Sequence, residues 1–151
     1  MSTRLTVGYH VVRWVARTIG PHTDFGTARG IGLQRRVGDA WCMIAGVAYA
    51  DWNGPNLVAH IASDGTRRWM SREYLWTIFD YPFNQQGVRR VTCMIGEGNR
   101  ESVNLCERLG FTLEARLKAA HRTGDLLIFS LFREDCKWIS QDISKRYARA
   151  A

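Results

Sequence analysis

Asn99 and Ser102 are the pair of residues in this sequence whose spacing speaks most directly of chemistry. They open the stretch Asn99–Leu109, which reads as a helix capped by Asn99 and closed by Gly110. One turn apart, they set two small polar side chains at a helix mouth, where free N–H groups and the positive end of the dipole converge. A ligand carbonyl, amide or phosphate would be held well there. The same side chains equally suit plain capping of the helix's own N–H groups, and both readings stand at this point. Elsewhere the signals are thinner. Cys42, Cys93, Cys106 and Cys136 form no C-x-x-C pair, so their spacing offers no zinc or redox site. Gly26, Gly30 and Gly32 cluster, but no strand–GxGxxG–helix context surrounds them.

The elements that must position such a site follow from periodicity. Val11, Val12, Trp14, Val15 and Ile19 recur at helical spacing, giving a first helix from Tyr9 to Ile19 that Gly20-Pro21 stops. Three strands are predicted next, Ile31–Arg36, Trp41–Asp51 and Asn56–Ser63, separated by Gly38-Asp39 and Asn53-Gly54-Pro55 as an antiparallel meander. A polar loop leads into a second helix, about Ser71–Tyr81, whose buried stripe is Tyr74, Leu75, Ile78 and Phe79 and which Pro82 ends. Val88–Ile95 is a strand before the third helix, and Phe111–Lys118 and Leu126–Arg133 are two strands after it. This order predicts an α+β fold, a mixed sheet with helices packed on it, as a single domain over residues 1–139 with a basic C-terminal tail, a frayed helix, over 140–151.

Composition bounds the partners. With 151 residues the chain suits one domain with a real core, and 21 Lys+Arg against 14 Asp+Glu leave a formal charge of +7. That excess favours anionic partners: nucleic acid, an acidic protein face or a phosphorylated cofactor. It also fits arginines scattered over a solvated surface. No uncharged run approaches the length of a bilayer span, and His10, Arg13 and Arg17 break up the early apolar stretch that a signal peptide would need. Reduced cysteines in a cytoplasmic setting are expected, with Cys42 and Cys93, inside apolar runs, as small buried hydrophobes.

The third helix continues Asn99-Arg100-Glu101-Ser102-Val103-Asn104-Leu105-Cys106-Glu107-Arg108-Leu109-Gly110-Phe111. This resembles the N-x-x-S-x-x-x-x-E-K/R-x-G-F signature of the GNAT superfamily of N-acetyltransferases, and most of all its ribosomal-protein branch and the small acetyltransferases of tailed bacteriophages. Phe79-Asp80-Tyr81-Pro82-Phe83, Gly87-Val88-Arg89-Arg90-Val91 and Gly124-Asp125-Leu126-Leu127 match neighbouring pieces in register, so the likeness runs from Ile31 to Trp138. It implies a mixed, mostly antiparallel sheet with helices on both faces and a splayed pair of parallel strands, here Asn56–Ser63 and Val88–Ile95.

The resemblance further implies acetyl-coenzyme A in that V-shaped gap and direct transfer of acetyl to a primary amine: a protein N-terminus, a lysine or a small amine. Backbone groups near Ala59 and Ile61 would hold the pantetheine arm and polarise the thioester carbonyl. The loop Thr66-Arg67-Arg68-Trp69-Met70-Ser71 would cradle the pyrophosphate, Asn99 and Ser102 standing opposite. This loop departs from the family's Q/R-x-x-G-x-G/A, since Trp69 and Ser71 occupy the small-residue positions. Arg67 and Arg68 would supply charge-assisted contacts, with Ser71 capping the helix below; the loop also reads as merely solvated. Where many relatives carry Tyr, this chain has Cys106, a thiol able to protonate the departing thiolate or simply a core residue. His60 is the first candidate base, or a hydrogen-bonded sheet histidine; Asp51 and Glu97 are weaker candidates, and His121 either borders the acceptor or is simply exposed. Tyr49, Trp52 and Tyr81 either line an acceptor pocket or pack. The alternative function is a catalytically silent domain of this fold that grips nucleic acid or an acidic host protein, and the tail would suit a homodimer contact.

Overall fold

The computed structural model describes residues 2–21 and 23–139. Seven strands form one sheet: β1 (Thr3–Val7), β2 (Arg29–Val37), β3 (Ala40–Ala50), β4 (Asn56–Ser63), β5 (Arg90–Gly96), β6 (Thr112–His121) and β7 (Gly124–Phe132). They lie in the order β1-β2-β3-β4-β5-β7-β6, every neighbour antiparallel except β4 and β5. Helix α1 (Tyr9–Ile19) covers β2, β3 and β4 on one face, whereas α2 (Arg72–Asp80) and α3 (Arg100–Leu109) cover the other. This is the α+β arrangement expected, with helices on both faces.

Two cores result. The larger joins Leu57, Val91, Phe129 and Leu131 of the sheet to Tyr74, Leu75, Ile78 and Phe79 of α2 and to Cys106 and Leu109 of α3. The smaller sets Val11, Val12 and Val15 of α1 on Ala48 and Ala62. The glycines near β2 acquire a reason here. A Cβ at Gly30 would stand 2.8 Å from the Val11 Cβ, and one at Gly46 would stand 2.8 Å from Val15 Cγ2. They are bare so that α1 can lie directly on the strand backbones.

Several sequence-based boundaries shift. β1 was not expected; it is a five-residue edge strand with little burial, too short and too exposed to show a period. Val88 does not begin β5: its N–H goes to the Pro82 carbonyl, and pairing starts at Arg90. Pro82 does not end the helical path either. α2 passes without a break into a π turn, Tyr81–Gln85, whose second residue is Pro82; the Ile78 carbonyl, one turn back from the N–H that Pro82 lacks, accepts the Tyr49 hydroxyl. Cys42 is exposed rather than buried, because it sits beyond the bulge at Leu33/Gln34, opposite Arg35, where no helix covers the sheet. The basic tail at 140–151 lies outside the described residues. Among the described residues no helix is long and apolar enough to cross a membrane.

Candidate active site

The parallel strands pair at only three positions, Asn56↔Arg90, Leu57↔Val91 and Val58↔Thr92. The Thr92 hydroxyl pins this closed end by donating to Asn56 Oδ1 at 2.6 Å. Beyond Val58 the strands part, each still bound to its outer neighbour: β4 runs on to Ser63 against β3, and β5 to Gly96 against β7. The inner edge of β4 from Ala59 to Ser63 therefore has no ladder partner. Its backbone N–H and C=O groups face a wedge, and a linear amide-bearing chain can pair with them as an added strand would.

A cavity of about 420 Å³ opens at the mouth of this wedge. Of the residues the sequence proposed for the cofactor, Ile61, Arg67, Trp69, Met70, Asn99 and Ser102 line it. Ala59, Arg68 and Ser71 do not. Ala59 is buried deeper along β4 against the larger core, and Ser71 Oγ accepts the Tyr74 N–H at 3.2 Å as the cap of α2. Asn99 Oδ1 accepts the Ser102 N–H at 3.2 Å, so the capping bond does form, with both residues at the cavity edge. Trp69 is 2% exposed and meets Tyr74 edge-on, its ring turned into the core so that the loop is not obstructed by its bulk. Sequence reasoning missed Arg108 and Leu105, which also line the cavity. Their signal was the helical step from Ser102 through Leu105 to Arg108, three residues at a time on one face.

The candidate proton-transfer groups are dispersed. On β4, Leu57, Ala59 and Ile61 face the larger core, while His60 lies on the α1 side, its ring stacked on Phe25 at 3.9 Å. Burial lowers its pKa from 6.5 to about 4, opposed in part by the Asp51 carboxylate, so the imidazole is neutral near pH 7. Cys106 is buried and does not line the cavity; it faces Cys93, and that hydrogen bond with burial pushes the Cys93 thiol well above its ordinary range. Glu97 is engaged: it accepts the Asp125 N–H at 3.1 Å and pairs with Arg116 at 2.6 Å. His121 packs its ring over Gly96, where a Cβ would lie 2.5 Å from the imidazole. The tip of the β6–β7 hairpin is thereby clamped to the segment that leads into α3.

A second cavity, of about 450 Å³, opens near the start of β4 and is lined by Phe25, Tyr49, Asp51, Trp52 and Tyr81 among others. The three aromatics Tyr49, Trp52 and Tyr81 thus share one space. Tyr49 also donates to the Ile78 carbonyl at 2.5 Å and lies 4.8 Å from the Tyr81 ring, so it both packs and lines. Phe25 connects this cavity to His60, since its ring touches both.

A mixed sheet whose only parallel pair opens into a wedge, with a capped helix at its mouth, defines the GNAT fold. Solved structures of acetyltransferases share it. A spermidine N-acetyltransferase chimera of Vibrio cholerae and human-derived sequence matches with a TM-score of 0.70 at 14% identity, over 93% of this chain and 100% of that one. The spermidine N-acetyltransferase of Vibrio cholerae in complex with CoA and spermine matches at 0.65 and 15%, over 88% and 96%. The ribosomal-protein-S5-alanine acetyltransferase of Vibrio fischeri matches at 0.57 and 18%, over 73% of this chain and 64% of that one. At such identities the likeness is one of fold. No family model matches the sequence, and no curated protein does.

Proposed function

We propose that this chain is an acetyl-CoA-dependent N-acetyltransferase that passes acetyl to a primary amine by direct attack. The observation that carries the reading is the unpartnered edge of β4 from Ala59 to Ser63, opening onto a cavity at the capped mouth of α3. The donor set suits the cofactor. Arg67 and Arg108 line the cavity without an ion pair among the described residues, free to meet a pyrophosphate, and Asn99 with Ser102 presents an uncrowded helix terminus. When bound, acetyl-CoA would supply the activated thioester. The backbone N–H groups near Ala59 and Ile61 would orient it and stabilise negative charge on its carbonyl oxygen. His60, neutral at pH 7, lies on the α1 side and lines neither cavity, so it could take the amine proton only through water. Cys106, facing Cys93, is better placed for packing than for donating a proton to the thiolate.

Neighbours in fold lend general support, one solved with CoA and spermine and another titled for a ribosomal protein's alanine. The deciding measurement is a thermal-shift titration with acetyl-CoA and CoA, followed by release of free thiol in the presence of an amine panel. Saturable stabilisation following mass action and amine-dependent thiol release support the enzyme. Absence of any shift at millimolar ligand would move the protein to the silent-module class, with nucleic acid or an acidic protein as its partner.

A further inference from the structure

The second cavity carries an unusual charge balance. Among the described residues its lining holds one carboxylate, Asp51, and one guanidinium, Arg29, and no other charged side chain. Neither is committed elsewhere: among the described residues, Asp51 and Arg29 make no hydrogen bond or ion pair through their side chains, with each other or with any neighbour. The same lining holds four aromatic rings, Phe25, Tyr49, Trp52 and Tyr81. Asp51 is held in the left-handed region, φ 55, a conformation that Asp tolerates better than most residues. The turn that fixes it is built, not slack: Asn53 Oδ1 accepts the Asn56 N–H at 3.0 Å, and the Asn53 N–H goes to the Asn56 carbonyl at 3.0 Å.

We propose that this cavity receives the acceptor, and that the acceptor is a small zwitterion, an α-amino acid with an apolar or aromatic side chain, its ammonium on Asp51 and its carboxylate on Arg29. The inference rests on the acetyltransferase reading. The aromatic walls take the apolar body and stabilise the ammonium from their faces. A polyamine is a poor match, since three or more ammonium groups would meet a single carboxylate beside a fixed guanidinium, in a chain already carrying +7. The balance is simple. The ammonium gives up one proton to solvent; its nitrogen bonds to the acetyl carbon; the carbon–sulfur bond breaks; and the nitrogen's second proton ends on the CoA thiolate, giving CoASH and an N-acetyl amino acid.

The test is calorimetric, on the full chain saturated with CoA, so that binding is read without turnover. The probes are L-phenylalanine, phenethylamine (no carboxylate), 3-phenylpropionate (no ammonium) and spermidine. L-phenylalanine is expected to bind at least tenfold tighter than any other probe. Arg29→Gln should erase its advantage over phenethylamine, and Asp51→Asn its advantage over 3-phenylpropionate, while CoA affinity, which neither side chain touches, stays the same. Phenethylamine or spermidine binding as well as L-phenylalanine, or an unchanged preference in Arg29→Gln, overturns the proposal and leaves the acetyltransferase standing. Failure of CoA itself to bind overturns both.

Discussion

His60 shows how one residue can tie the site to stability. Its ring is sandwiched between Phe25 and the sheet, and burial drops its pKa from 6.5 to about 4. The unfolded chain therefore binds a proton across that interval that the folded chain refuses. Stability contributed by the neutral ring is complete above pH 6.5 and is lost as pH falls toward 4, a loss on the order of 3 kcal/mol. Urea unfolding at pH 7 and pH 4.5 should show this slope in the parent chain and a flatter one in His60→Gln. An equally steep slope in the variant would transfer the effect to another group. If His60 also moves the amine proton, the same variant lowers kcat with KM for acetyl-CoA unchanged. Asn99 is the second residue with two duties, since its Oδ1 caps α3 at the cavity edge. Asn99→Ala should cost about 1 kcal/mol in stability. CoA affinity is expected to fall by more than that loss explains, and unchanged affinity would reduce Asn99 to a cap.

At the scale of elements, α1 packs directly on bare strand backbone. Gly46→Ala would force a methyl to within 2.8 Å of Val15 Cγ2 and 3.1 Å of Val11 Cγ1, in the smaller core where Val11 and Val15 are fully buried. An overpacking loss of about 1–3 kcal/mol is expected, read as a lower denaturation midpoint with CoA affinity retained. The same elements explain what the sequence could and could not disclose. β4 was legible to the residue, Asn56–Ser63, because an Asn-Gly-Pro turn and a polar loop bracket an apolar run. α3 was legible through its caps, Asn99 and the left-handed Gly110 with φ 106. β1 was not, since its ordering comes from hydrogen bonds to β2 and hardly at all from burial. The cluster of Gly26, Gly30 and Gly32 matched no motif, because the reason for Gly30, its approach to Val11 of α1, is a tertiary contact. The splay of β4 from β5 was foreseen only by resemblance, since no local pattern states where two strands stop pairing. Arg29 escaped for a similar reason, since nothing near it in sequence announces that it shares a cavity with Asp51.

For the molecule as a whole, the question is what a charge of +7 does. Several of the 21 basic side chains are tied up in the fold. Arg90 pairs with Glu114 at 2.5 Å, Arg116 bridges Glu97 and Asp125, Arg4 lies 4.3 Å over the Trp41 ring, and Arg133 reaches the Phe83 carbonyl and Asn84. These positions are spread along the β1 edge, the β6 edge and the π turn, so they do not merge into a groove that would track a phosphate backbone. Arg67 and Arg108, by contrast, meet at one cavity. On the proposed reading, these two arginines would act locally, on one pyrophosphate-sized anion. Two salt dependences follow. Binding of CoA should weaken modestly between 50 and 200 mM salt, and Arg67→Ala with Arg108→Ala should make it shallower still. Retention of duplex DNA through six or more phosphates would instead fall by roughly 10³ or more over that range. A DNA affinity with so steep a slope, together with CoA binding indifferent to both arginines, would reverse the assignment of this surface.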